Sequence, residues 1–496
     1  MRFPLLAKAL AIAAVLLLLS LVLMRIDGLV HERRWRSVQA AQSVEQSLAG
    51  AQTLLGPVLQ RTCTELWTTW TGEGKERRKL EEKREWTLAA TPQALKVDGE
   101  LRAEARYRGL FKVNGYAGRV VLDAAWPDLI ALQPRAEHAE SRVSCTPVRV
   151  WLATSDVRGL RSAQALVDGT PRPVLPGTPH ERHARGLQLV LDELRSAQAG
   201  APLAVKLTLE LLGTSRLALV PVGAETSWAL RSDWPHPSFG GRFLPATRKV
   251  DAKGFTANWT VSALASSAAA DVLKRDGEVC AVPQASGASA YGDDSDGPTL
   301  PPATTGTPPR PCLDTLAVSF IDPVNPYVLS DRATKYAWLF IILTFGAVGL
   351  TEVLAGRRVH PVQYTLVGLA LALFFLLLLS LSEHIAFGQA YAAAAGGCVA
   401  LLGFYARHML GSGRAGAAFA AGAALLYGAL WVLLQMEQTA LVIGSLMLFA
   451  ALAAVMVLTR RVDWYALFAA MRAPRAAPVT GAAINPSDPA SPSATA

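Results

Sequence analysis

Ser380, Glu383 and His384, in the run Ser380-Leu-Ser-Glu-His384 that closes a long apolar segment, are the residues best placed for chemistry. At i, i+3 and i+4 they share one helix face. A carboxylate beside an imidazole there could carry a proton or ion relay, but a relay through a bilayer needs further polar groups toward the midplane. The apolar segments offer almost none. At the interface a carboxylate stays hydrated, so the expected role is docking: an outer-face ionic cluster of Arg332, Lys335, Glu383, His384 and Glu437 that fixes a polar domain on membrane helices. At the opposite face Glu352 is expected to pair with Arg357, Arg358 or Arg414, or to stand alone as a snorkelling interfacial carboxylate.

Two other constellations invite a ligand. WPHPSFGGRFLP carries Trp234, His236, Phe239, Arg242 and Phe243, which could meet a glycan, peptide or lipid head group. The commoner use of such aromatics is core filling at a corner, with the two glycines turning the backbone. His180 and His183 in PHERH lack a third ligand nearby, and a catalytic zinc needs three protein ligands. A flexible surface loop is expected there. The chain contains no nucleophile elbow, phosphate loop or H-E-x-x-H motif. No catalytic residue, metal or cofactor is expected, and the chain reads as a non-enzyme.

The elements that must position these residues follow from hydropathy. Residues 1–4 precede an apolar helix at 5–24, which no small-x-small cleavage site follows before Arg25, so it reads as a retained signal anchor rather than a cleaved peptide. A polar stretch of some three hundred residues follows, and five apolar segments then fill 336–458, each about the ~20 residues that cross a bilayer core. Arg357 and Arg358, then Arg407, His408 and Arg414, then Arg460 and Arg461 occupy alternate loops. Short basic loops stay cytoplasmic, so both termini are expected inside and the polar domain outside. Arg25, Arg33, Arg34 and Arg36 argue the other way, but long domains translocate largely regardless of charge. The formal charge of +9 is spent partly at these membrane edges, which excludes nucleic acid as the expected partner and leaves the lipid bilayer.

The fold class expected is α+β: an anchor helix, a mainly antiparallel, sandwich-like β domain (58–335), a five-helix membrane bundle, and a cytoplasmic tail (459–496) disordered from about residue 473. Ala41, Val44, Leu48, Ala51 and Leu55 predict a helical stalk over 25–57 that ends at Gly56-Pro57. Val97, Gly99, Leu101, Ala103 and Ala105 alternate with charged residues, as do Val148, Val150 and Leu152. Leu203 to Leu211 and the run through Leu217 and Leu219 read as two arms of a hairpin, and Gly186 to Ala197 as a helical patch. The charged run 72–85 reads as a hairpin tip or short exposed helix. Four cysteines in the exported domain allow three pairings. Cys280 and Cys312 bracket a Pro/Gly/Ser-rich segment, 281–311, expected to be disordered, which favours that bond and with it Cys63 to Cys145.

GLVHERRWRSVQAAQSVEQSLAGAQTLLGPVL (28–59), RGLFKVNGY (108–116), SDVRGL (155–160), DPVNPYVLSDRATKYAWLFIILTF (322–345), HPVQYTLVGLALALFFLLLLSLSEHIAF (360–387) and DWYAL (463–467) resemble the CreD family of bacterial inner-membrane proteins associated with cell-envelope integrity. The resemblance implies a Gram-negative inner membrane, a periplasmic domain, control by a Cre-type two-component system and no established enzymatic activity. The chain departs from that pattern in a longer insertion between Asp276 and Arg310, and in lacking an apolar strand after GPVL just before Cys63. The function so implied is a binding or sensing domain docked on a membrane bundle, with envelope proteins, glycans or lipid head groups as partners. A transporter or lipid-handling protein using the five-helix block is the alternative, against which stand the apolar spans and the absence of an internal repeat.

Overall fold

The computed structural model describes residues 4–71, 78–192, 200–274, 278–279, 312–322, 325–355, 359–409, 411–436 and 440–460. Arg357, Arg358, Glu437, Cys280, the segment 281–311 and the tail from residue 461 lie outside the described residues.

The chain opens on one unbroken helix, α1 (Pro4–Ser47), of 44 residues. At about 1.5 Å per residue it is roughly twice as long as a bilayer core is thick, so its apolar first half and polar second half form one rigid rod. Val15, Leu19, Leu23 and Ile26 are buried against the C-terminal helices, and a Cβ at Gly368 would meet Leu19 at 2.3 Å. The anchor helix is thus part of the bundle.

The helix ends earlier than its spacing predicts. Residues 52–57, expected to be its last turns, belong to a strand that runs on past Leu59, because Gln52, Leu54, Leu55, Val58 and Leu59 are all buried. A run buried on both sides suits a strand inside a sheet and not an exposed stalk. Gly56-Pro57 forms a register shift within that strand, between Leu55 and Val58. The same strand runs on through Gln60, Arg61, Thr62 and Cys63, so the lack of apolar residues after GPVL does not interrupt it.

The β domain comprises β1 (Gln52–Thr71), β2 (Arg78–Ala90), β3 (Ala94–Arg108), β4 (Phe111–Trp126), β5 (Arg142–Cys145), β6 (Arg149–Thr154), β7 (Leu160–Val167), β8 (Thr170–Arg172) and β9 (Leu175–Pro176). It continues with β10 (Gly186–Val190), β11 (Leu203–Thr214), β12 (Arg216–Val220), β13 (Glu225–Ser232), β14 (Pro237–Gly241), β15 (Thr247–Asp251), β16 (Gly254–Ser262), the short helix α2 (Ala268–Leu273) and β17 (Leu316–Phe320). One sheet runs β14-β17-β12-β1-β6-β10-β9, with β2 and β5 also on β1; the other runs β15-β16-β13-β3-β4-β11-β7-β8. Pairings are antiparallel except β1 with β12 and β13 with β3. The two sheets share one hydrophobic cluster that includes Leu55, Trp151, Leu95, Leu122, Trp228 and Trp259, so the domain is a sandwich.

Alternation reads β3 and β11 correctly: Val97, Leu101, Leu203, Val205, Leu207 and Leu209 all face the core. The hairpin expected after β11 is not formed. At Ser215, whose φ of 62° lies in the left-handed region, the chain crosses to the other sheet, and β12 pairs in parallel with β1. Leu217, Ala218, Leu219 and Val220 are all buried, so β12 has no wet face to alternate. Gly186 to Val190, expected to be helical, is strand β10, because Leu187 and Leu189 point together into the core at a period of two. Residues 78–85 of the charged run lie on β2, paired antiparallel with β1 up to Thr71 with Arg78; residues 72–77 lie outside the described ones. Cys63 and Cys145 face each other across β1 and β5 and are bonded. Cys312 is disulfide-bonded as well.

After β17 come α3 (Pro326–Lys335), α4 (Ala337–Ala355), α5 (Pro361–Ser382), α6 (Phe387–Met409), α7 (Gly413–Gln435) and α8 (Ala440–Thr459). Their starts follow from local sequence. Asn325 caps α3 through the Tyr327 amide, and His360 and Gln363 form a reciprocal capping box on α5, which accounts for the HPVQ run. Among the described residues α1, α5, α6 and α7 are long and apolar enough to cross a membrane, with shorter apolar stretches at Ala337–Gly349 and Val442–Val457.

Candidate functional site

The polar half of α1, the helix α3, the end of α5 and the β3–β4 hairpin tip meet at one place, where the β domain joins the helices. Val30, Tyr327 and Leu379 are buried together, with Phe111 packed on them. Around this apolar contact lies a belt of charge. Arg33 Nε stands 3.6 Å from Glu383 Oε1, and the Glu383 side chain is 9% exposed. Asp331, equally enclosed, has Arg34 Nη1 at 3.7 Å and Lys335 Nζ at 3.8 Å from Oδ2. His31 Nε2 lies 3.5 Å from Asp27 Oδ2 and 3.8 Å from Asp331 Oδ1. Thr334 Oγ1 donates to Asp27 Oδ1 at 3.4 Å.

The structure therefore brings Lys335 and Glu383 to this junction, each against a residue that the sequence reading had not assigned to it. Arg332 is half-buried on α3; Ser380, within α5, and His384, beyond its end, are both exposed. Asp27, His31, Arg33, Arg34 and Asp331 were missed. The i, i+4 spacing of Asp27 and His31 was a usable signal, whereas Arg33 and Arg34 read only as charges beside a span.

The far end of α1 is gripped by the β domain. Arg158 donates to the carbonyls of Glu45 and Gln46 in the last turn of α1, where a cation also meets the negative end of the helix dipole. Asp156 holds Arg158 and accepts from the Gly50 amide; its hydrogen bond from Arg158 lowers its pKa to about 2.

The remaining candidates have structural surroundings. Glu352 accepts from Tyr364 Oη at 3.2 Å. In the WPHPSF run the prolines admit a short edge strand, β14. Trp234 Nε1 donates to the carbonyls of His236 and Ile321, Phe239 packs edge-on to Phe255 and Trp259, and the Phe243 carbonyl accepts from Trp259 Nε1. Arg242 extends into solvent beside Asp314, and His236 is exposed. Beside this loop Glu100, Arg102, Arg231, Asp233, Lys249 and Asp251 line an open cavity of about 400 Å³.

His180 is buried and not part of a flexible surface loop: it packs against Trp151 and His183, and its Nδ1 accepts from the His183 amide. Burial, with Arg182 nearby, pulls the His183 pKa down. Glu65 is an enclosed carboxylate that sequence reading passed over. Its Oε1 accepts from Ser141 Oγ at 2.6 Å and from the amides of Glu137 and His138, which lower its pKa to about 2. Because Ser141 bonds the carboxylate directly, the arrangement pins the 137–141 loop rather than activating a nucleophile.

The sequence profile of the CreD family, described as "Inner membrane protein CreD", matches residues 4–465. Inner membrane protein CreD of Escherichia coli K12 is 33% identical over 467 residues, covering 94% of this chain and 95% of that protein. Among solved structures, an M1 zinc metallopeptidase from Deinococcus radiodurans gives a TM-score of 0.18 at 11% identity, over 34% of this chain and 38% of that one. Yeast LTA4 hydrolase gives 0.17 at 11% identity, over 33% and 25%. Likenesses at that level carry no argument about chemistry. The profile match and the relative aligned over nearly its whole length show the family: the chain belongs to the CreD family of inner membrane proteins.

Proposed function

We propose that this protein is a non-catalytic inner-membrane component that supports the cell envelope, with a periplasmic β domain that binds or senses and a bundle of six spans that anchors it. The observation that carries this reading is the junction: one rod, α1, belongs to both the bundle and the domain interface, and Phe111 with the Arg33–Glu383 pair fastens the domain beside the membrane. A loosely tethered domain would need neither. The basic residues Arg407, His408, Arg414 and Arg460 support a cytoplasmic side for their loops and the opposite side for the β domain, since short basic loops stay in the cytoplasm.

The test joins topology to phenotype. In cells with a permeabilised outer membrane, an impermeant maleimide should label Lys249→Cys but label Gly413→Cys only after lysis. A deletion strain carrying Phe111→Ala with Glu383→Lys should stay detergent-sensitive at wild-type protein abundance. The reverse labelling pattern overturns the topology, and full complementation by the double variant overturns the docking role.

A further inference from the structure

We infer that Asp27, His31 and Asp331 form a divalent transition-metal site that clips α1 to α3, with zinc as the ion best matched to one imidazole and two carboxylates. The three ligand atoms, one from each residue, lie within 4.8 Å of one another. A first-row ion binds imidazole nitrogen and carboxylate oxygen at about 2.0–2.2 Å, which sets neighbouring ligand atoms roughly 3.0–3.5 Å apart. The separations of 3.5 Å and 3.8 Å from His31 Nε2 lie near that range, and the two carboxylate oxygens stand within 4.8 Å of each other, so an ion would draw the side chains inward.

The division of labour within each carboxylate points to a ligand. Asp27 gives Oδ1 to Thr334 and turns Oδ2 to His31. Asp331 gives Oδ2 to Arg34 and Lys335 and turns Oδ1 to His31. Arg34 and Lys335, as ion partners of Asp331 Oδ2, leave Oδ1 turned to the imidazole, while Thr334 Oγ1 also bonds the Asp331 carbonyl at 2.9 Å. The second observation is independent of this clustering: Asp331 Oδ1 is buried, on a side chain 9% exposed, and takes no hydrogen bond. A buried carboxylate oxygen facing an imidazole at 3.8 Å is too far for a hydrogen bond and well placed for a shared ion. His31, 58% exposed, leaves a route for the ion and room for water as a further ligand. Magnesium and calcium, which prefer all-oxygen shells, fit the imidazole poorly.

Arg34 and Lys335 oppose a cation, and this gives the site a signature. Lys335 is 71% exposed, so its removal should raise zinc affinity several-fold, by Coulomb repulsion relieved, without disturbing packing. The inference does not depend on the envelope role, since its test reads binding in purified protein. Full-length protein without a polyhistidine tag would be stripped with a chelator in detergent and titrated with zinc against a chromogenic zinc indicator. Wild type should bind one equivalent. His31→Ala, at an exposed position that does not threaten folding, and Asp331→Asn should each lose at least about tenfold in affinity, whereas His183→Ala should lose nothing. Zinc should raise the melting temperature of wild type and not of His31→Ala. Retention of full affinity in His31→Ala, or no zinc uptake by wild type, overturns the site; if Asp331→Asn fails to fold, His31→Ala decides alone.

Discussion

Phe111, at the start of β4, packs on Tyr327 of α3 with ring centroids 5.7 Å apart and planes at 45°. The contact joins the β3–β4 hairpin to the helices through Val30 and Leu379. Phe111 is only half-buried, so Phe111→Ala should cost about 1–2 kcal/mol, below the ~3–5 kcal/mol of a core Phe truncation. The cost should fall on docking rather than on the sandwich. Hydrogen exchange should rise at 107–113 and 325–335 while β3–β4 pairing near Val97 and Leu122 stays protected.

Arg33 and Glu383 make a testable pair because their enclosure differs. Glu383 is 9% exposed and Arg33 38%. Arg33→Ala leaves an enclosed carboxylate without its cation and should destabilise the junction by about 1–3 kcal/mol; Glu383→Gln, which removes the charge, should cost less. A double-mutant cycle read by thermal denaturation checks this, and equal effects of the two single changes would count against the pairing.

The Cys63–Cys145 bond closes a loop with a sequence separation of 82. Such closure removes chain entropy from the unfolded state and is typically worth about 2–4 kcal/mol. Cys63→Ala with Cys145→Ala should lower the melting temperature of the β domain, and a reductant should lower wild type by more than it lowers the double variant, which keeps the bond at Cys312. The expected bond from Cys280 involves a residue outside the described ones.

Glu65 predicts an acid-sensitive loop. Its pKa is lowered to about 2 by the bonds from Ser141, His138 and Glu137. A depressed carboxylate stabilises the fold above its unfolded value near ~4.3, and that contribution is lost as pH falls toward the folded value. The difference in melting temperature between wild type and Glu65→Gln should therefore be full at pH 6–7 and shrink from about pH 5 downward. A difference that stays constant to pH 3 would refute the assignment.

Local pattern was enough for much of this molecule. Long apolar runs gave the anchor and the bundle helices, and alternation gave β3 and β11, because backbone geometry repeats every 3.6 or 2 residues whatever the distant packing. Counting left three pairings of four cysteines open, and the low-complexity segment between Cys280 and Cys312 favoured the set that includes the Cys63–Cys145 bond.

What pattern could not supply was anything depending on which faces meet. β12 looked like the return arm of β11 and instead serves the other sheet, since burial on both sides erases alternation. Arg33 and Arg34 looked like membrane-edge charges, yet they meet Glu383 and Asp331 roughly three hundred or more residues away in the chain. The sequence by itself determined the long apolar helices, the alternation of β3 and β11 and the family. Only the tertiary structure decided the junction, because Asp27 comes within hydrogen-bonding distance of Thr334, a sequence separation of 307, only after α1 and α3 have packed.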